Sequence, residues 1–183
     1  TRSVIRNDES FGDHHELLTY VIEQLVRQTR HREVEALIAE EPIKYEGRAW
    51  ARTVFVQHLI ASGRLDEAAR AAEPLRSGPE NPSDHRRPLA FARLGAAFAR
   101  AGRRAEAENA LRYAVSRMPA LLNEYERDQI DAVRAPAEAA LGRFREARLI
   151  ADGIEDDRRQ WEAYFALLDV YVTLKKSDGP GEE

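Results

Sequence analysis

Five histidines, plentiful carboxylates and an excess of arginine are the side chains in this sequence from which chemistry could be built. The histidines are His14, His15, His31, His58 and His85. A helical metal site needs donors one turn apart on one face, as in ExxH, HxxxH or HExxH, so that two of them reach one ion. The run Asp13-His14-His15-Glu16 resembles the start of a helical di-iron motif, and His31 and Glu35 lie one turn apart. However, no Asp or Glu stands three residues before any histidine, and neither HxxxH nor HExxH occurs. Four of the five histidines fall at expected helix ends or in loops, where they serve as surface or capping groups. Cysteine is absent, which removes thiolate nucleophiles, disulfides and Cys-ligated metals. There is no GxSxG elbow, no Walker loop and no GxGxxG. The adjacent carboxylates Glu40–Glu41 and Asp156–Asp157 lie at helix ends, where solvation accounts for them, whereas catalytic carboxylates need a concave, partly dry site. The expectation is a protein that is not an enzyme and has no metal and no cofactor.

Arginine outnumbers lysine 25 to 3. Arg64, Arg103, Arg104, Arg143 and Arg145 recur where one helix is expected to turn into the next. In register they would line one edge, and such an edge can hold RNA phosphates or an acidic partner. Acidic neighbours dilute it, namely Asp66, Glu67, Glu106, Glu108 and Glu146. The net charge of −4 also argues against a surface devoted to nucleic acid. RNA binding is therefore the lesser reading and a solvated, mixed-charge turn the plainer one. The chain has 183 residues, 43% hydrophobic and 33% charged, which excludes wholesale disorder. A chain of this length buries roughly 70% of its unfolded surface without help from a disulfide or metal. No apolar run approaches the roughly 18–20 residues that span a bilayer, and residues 1–15 contain no apolar signal core. A soluble, cytoplasmic protein is expected.

The elements that would position these groups are helices. Apolar residues recur with helical period from His14 to Lys176, and no stretch alternates long enough for a half-buried strand. The spacing predicts helices over 14–28, 33–40, 48–61, 66–76, 87–101, 105–117, 124–141, 145–152 and 158–175. Asp13, with Glu16 three residues on, reads as an N-cap with a capping-box partner. Pro136 should kink or interrupt the helix that contains it. The longest loop is 76–87, with two of the eight prolines. Residues 1–13 read as an N-terminal extension, 14–176 as one helical repeat domain and 177–183 as a flexible tail.

Helices in short-linked pairs call for a repeat test. Gly63, Gly102 and Gly142 each end one helix, and each is followed five residues later by alanine: Ala68, Ala107 and Ala147. Stepping back 34 residues from Ala68 reaches Val34. The middle unit carries Phe91, Leu94, Gly95 and Phe98, then the turn at Gly102, then Ala107, Leu111, Ala114 and Pro119. This pattern resembles a tetratricopeptide repeat (TPR), in which small residues sit where two helices cross closely and large ones fill the space beside them. The unit with Gly63 keeps Phe55, Leu59 and Ala68 but has Val56 at the small site. The unit with Gly142 keeps Ala135 and Ala147 but has Arg134 and Glu138 where the family prefers apolar residues. Tyr164, Leu167, Leu168 and Tyr171 fit the first-helix pattern in a last helix without a partner.

The resemblance implies an all-α, right-handed α-α superhelix: a TPR-like solenoid of about four helix hairpins plus a C-terminal capping helix. In that geometry the first helix of each hairpin lines a concave groove. The groove would collect Trp50, Thr53, Gln57 and Ile60, then Leu89, Ala92, Ala96, Ala99 and Arg100, then Gln129 and Ala132, then Phe165, Asp169 and Val172. The Lys, Asn and Arg with which some TPR domains clamp acidic chaperone tails are missing. A floor of alanine rimmed by Gln57, Arg100 and Asp169 suits an apolar helix or extended segment, unless the last helix fills the groove itself. The expected role is a protein–protein interaction scaffold or adaptor that binds another protein or a peptide segment. The alternatives are a regulatory domain that senses a peptide or small ligand and, below it, RNA binding. Leu17, Val21, Val170 and Leu174 mark ends through which a homo-oligomer could form.

Overall fold

The computed structural model describes the backbone of residues 11–40, 45–77, 86–118 and 123–177, and the side chains of 16–40, 48–76, 86–118 and 123–175. Among the described residues there are nine α-helices and no strand. They are α1 (Phe11–Arg27), α2 (His31–Glu40), α3 (Tyr45–Ala61), α4 (Leu65–Ser77), α5 (Arg86–Arg100), α6 (Arg104–Ser116), α7 (Glu124–Ala140), α8 (Phe144–Asp152) and α9 (Asp157–Ser177). Each expected helix is present, with ends shifted by at most three residues. The expected extension 1–13 and tail 177–183 lie mostly outside the described residues, as do His85, Pro119 and the side chains of His14 and His15. Two expectations need correction. Because α1 begins at Phe11, Asp13 lies within its first turn and is not the residue that precedes it. α7 also continues through Pro136, so the proline does not interrupt the helix. One lost backbone hydrogen bond does not end a helix whose neighbouring Ala135, Ala137 and Ala139 are buried by packing.

The helices form consecutive antiparallel hairpins. Each odd-numbered helix packs on the even-numbered helix that follows it and on the next odd-numbered helix, so α1, α3, α5, α7 and α9 lie side by side. α2, α4, α6 and α8 flank that row. One apolar cluster runs from Leu18 and Ile22 of α1, through Phe55, Leu59, Phe91 and Leu111, to Ile130 and Leu141. A second, smaller cluster joins Ala135, Ala151, Ile154 and Ala163 at the C-terminal end.

The middle hairpin shows why small residues recur. Gly95 lies so close to α6 that a Cβ there would stand 2.7 Å from Leu111 Cγ and 3.3 Å from the Ala107 carbonyl oxygen. Ala68, Ala107 and Ala147 are all fully buried, and so is Val34 at the matching place in α2. Phe91 is 1% exposed and packs on Tyr113 with ring centroids 4.2 Å apart. The Arg76 guanidinium lies 4.7 Å from both ring centroids. Burying one such ring contributes about 1.5–3 kcal/mol.

Candidate functional site

The four turns inside the hairpins share one geometry. Gly63, Gly102 and Gly142 have φ of 72°, 70° and 81°, and Thr29 takes the same left-handed place at 59°. In each turn the next residue is arginine, whose backbone N–H reaches back to a carbonyl of the helix just ended: Arg30 to Leu25, Arg64 to Leu59, Arg103 to Phe98 and Arg143 to Glu138, all at 2.8–2.9 Å. This is the Schellman closure, and it places an arginine at the start of every second helix.

Those arginines are engaged. Arg30, Arg64 and Arg103 each bond the glutamate three residues on, Glu33, Glu67 and Glu106, at 2.6, 2.7 and 3.0 Å from Nε. Arg143 bonds Glu138 at 2.9 Å. Three of them also reach back to the preceding hairpin: Arg64 to His31 Nε2 at 2.8 Å, Arg103 to Asp66 at 2.7 Å and Arg143 to Glu108 at 2.5 Å. The row of turn arginines is therefore a ladder of ties between units. Phosphates would have to compete with its carboxylates.

His31 accepts from Arg64 at Nε2 and lies 2.6 Å from Glu67 through Nδ1, which the neutral Nδ1–H tautomer satisfies. Desolvation pushes the Glu67 carboxyl up, but hydrogen bonds from Arg64 and His31 outweigh it and hold the group below its ordinary range. Glu35 pairs with both terminal nitrogens of Arg52 at 3.0 and 2.9 Å. Among the described residues, no group of three His, Asp or Glu side chains is arranged to hold a metal ion. Likewise, no described helix is long and apolar enough to cross a membrane.

The residues expected to line a groove part company. Thr53, Leu89, Ala92 and Ala96 are buried in the main core, and the Thr53 hydroxyl donates to the Ala49 carbonyl at 2.9 Å. They offer no open surface, because the alanines let α3, α5 and α7 pack closely. Trp50 and Ile60 are half-buried against the same core. Gln57 and Gln129 are half-buried too. Phe165 and Val172 lie on the outer face of α9, 67% and 41% exposed.

Arg100 and Asp169 fall on one hollow. Both line one cleft of about 430 Å³ between α5, α7 and α9. Its buried floor is Ala99 and Pro136, and its half-buried walls are Ala140, Ala166 and Val170. Thr173 and Leu174 join Arg100 and Asp169 at the exposed mouth. The last helix thus forms one wall of a cleft and leaves it open. Pro136, Ala140, Ala166 and Thr173 were not read from the sequence. The i, i+3, i+4 recurrence of Ala166, Asp169, Val170, Thr173 and Leu174 was the signal that one face of this helix looks inward.

Polar contacts fix the α7–α9 wall. Buried Asp128 accepts the backbone N–H of Glu155 at 3.1 Å and of Asp156 at 2.8 Å, which ties the α8–α9 loop to α7. Arg159 donates to the Tyr125 carbonyl at 3.3 Å and lies 4.0 Å from that residue's ring centroid. Gln160 donates to the Ile154 carbonyl at 3.1 Å. Burial raises the Asp131 carboxyl above its ordinary range despite its pairing with Arg134 at 2.5 Å. Comparison of the chain with protein-family models, with curated proteins and with solved structures finds no match.

Proposed function

We propose that the chain is a TPR-like repeat, a right-handed superhelix of four hairpins closed by α9, and that it works as a protein–protein interaction module without chemistry of its own. Its bound segment lies in the cleft between α5, α7 and α9, apolar side chains inward and opposite charges toward Arg100 and Asp169. The cleft is the observation that carries this reading. Its volume of about 430 Å³ falls in the range of roughly 300–1,000 Å³ typical of binding pockets. Its floor and walls are aliphatic, and its mouth bears one cation and one anion. That combination fits a short apolar segment flanked by an acidic and a basic residue, held in the manner of a helix or strand in a groove. Three of the turn arginines, Arg64, Arg103 and Arg143, favour this over an RNA-binding edge, because carboxylates already pair with them.

Selection of a displayed library of short random peptides tests the reading. Enriched peptides should share an aliphatic core with one acidic and one basic flank. Ala166→Trp, which fills the cleft from its wall, should abolish their binding with helical circular dichroism unchanged. Arg100→Ala and Asp169→Ala should each weaken it several-fold, since exposed charges at a rim contribute little apiece. Peptides that bind the Ala166→Trp chain as well as the native one would sink the proposal.

A further inference from the structure

α9 carries apolar side chains on two opposite faces. The inner face holds Ala163, Leu167 and Val170 toward the rest of the chain. On the outer face Trp161, Phe165, Leu168 and Val172 follow one another at intervals of four, three and four residues. At 100° per residue all four fall within an arc of about 60°. They are exposed by 62%, 67%, 58% and 41%. Tyr171, at the edge of this stripe, is 45% exposed and meets Phe144 edge-on at 5.9 Å.

We propose that this outer face pairs with the same face of a second copy of the chain, the two α9 helices running antiparallel about a two-fold axis between Phe165 and Leu168. Area is the first argument. With Tyr171, the stripe exposes on the order of 500 Å² of apolar surface, given roughly 150–250 Å² for each aromatic ring fully exposed. A stable interface takes about 800 Å² from each partner, a little over half of it apolar. The stripe alone therefore supplies the apolar part of one complete side.

Charge is the second argument, and it selects the direction. Asp157 and Lys175 lie on the same flank of the stripe, at opposite ends and almost equidistant from the axis. An antiparallel copy sets Asp157 of each chain beside Lys175 of the other, twice over. It also brings Tyr164 of each chain toward Tyr171 of the other. A parallel copy would leave Asp157 and Lys175 at opposite ends, about 27 Å apart, and form neither pair. Glu162, on the other flank, is already paired with Arg158 of its own chain at 3.4 Å. A head-to-tail contact with the other end would meet, among the described side chains of α1, only Leu17 and Tyr20 as large exposed apolar groups, and it would propagate as an open filament, whereas the two-fold pairing closes at two.

Sedimentation velocity of the full chain over a dilution series tests this. A reversible monomer–dimer equilibrium is expected. Phe165→Glu, on an exposed site, should raise its dissociation constant at least about thirty-fold with circular dichroism unchanged. Asp157→Lys should weaken the dimer, and adding Lys175→Asp should restore it. A native chain that stays monomeric throughout overturns the proposal, as does a dimer indifferent to Phe165→Glu. Growth past the dimer that Leu17→Glu abolishes would establish head-to-tail stacking instead. A charge swap that fails to restore pairing refutes the antiparallel arrangement. The peptide-binding cleft is on the other face of α9, so the two readings fail separately.

Discussion

α5 and α7 hold equivalent places in successive hairpins, 40 residues apart, yet different chemistry holds them. Phe91, Leu94, Gly95 and Phe98 of α5 correspond to Asp131, Arg134, Ala135 and Glu138 of α7. Around α5, rings and branched side chains fill the space between helices, and Gly95 lets α6 approach until no Cβ would fit. Around α7, an ion pair and a buried glutamate stand at those positions, tied to Arg134 and Arg143. The packed core is smaller there, and backbone-directed bonds from Asp128, Arg159 and Gln160 take over the fastening. The same backbone frame thus accepts apolar or polar filling. Apolar filling fixes two helices through shape, and polar filling fixes loops and helix ends through direction. The polar end is also where the open cleft and the bare stripe of α9 are found.

Removing the ring at the apolar end should have the largest effect. Phe91→Ala should cost about 3–5 kcal/mol in urea unfolding, because the site cannot collapse around a lost ring clamped by Tyr113 and Arg76. At the matching polar site, replacing both members of the pair, Asp131→Leu with Arg134→Leu, should leave stability within about 1 kcal/mol of the native value or above it. If that double variant lost as much as Phe91→Ala, the contrast between the two helices would collapse.

A mid-sized effect isolates the loop fastening. Asp128→Ala strands two backbone donors beside a buried site and should cost about 1–3 kcal/mol. Hydrogen exchange should show the amides of Glu155 and Asp156 losing protection while those of α5 and α6 keep theirs. Equal loss across α5 and α6 would mean that the two ends unfold as one unit.

The smallest effect sharpens the shared frame. Thr29 is the β-branched exception among four left-handed turn residues, a conformation that costs a non-glycine residue roughly 1–2 kcal/mol. Thr29→Gly should therefore raise stability by about 1 kcal/mol, and Gly102→Ala should lower it by about as much. A Thr29→Gly variant no more stable than the native chain would show that its turn is held by contacts outside this frame.

Much of this was legible in the sequence. Helix positions follow from apolar period, and the turns at Gly63, Gly102 and Gly142 follow from glycine's freedom in the left-handed region. The tight crossing at Gly95, Ala107 and Leu111 follows from size alone. The fourth turn, at Thr29, could be placed only by stepping back one repeat from Ala68 to Val34, because threonine gives no turn signal. The groove was less legible. Thr53, Leu89, Ala92 and Ala96 were assigned to an open face, but neighbouring helices close over it. Arg100 and Asp169, expected with Gln57 at the rim of a groove, line a cleft that Gln57 does not share. The turn arginines looked like a free basic edge because their partners Asp66 and Glu108 belong to the previous hairpin, some 35 residues away in the chain.

The sequence by itself determined what depends on neighbours within a few residues: the helices of the described residues, the hairpin turns, the buried stripe of each helix and the absence of a thiol. Those are local matters of period, left-handed backbone and side-chain volume. Only the tertiary structure decided which small residues lie under a neighbouring helix and which floor a cleft, which arginines are already paired, and which apolar face of α9 is left uncovered. Each of these depends on how closely helices from different hairpins approach. That distance is set jointly by side chains far apart in the chain, so no single window of sequence contains it.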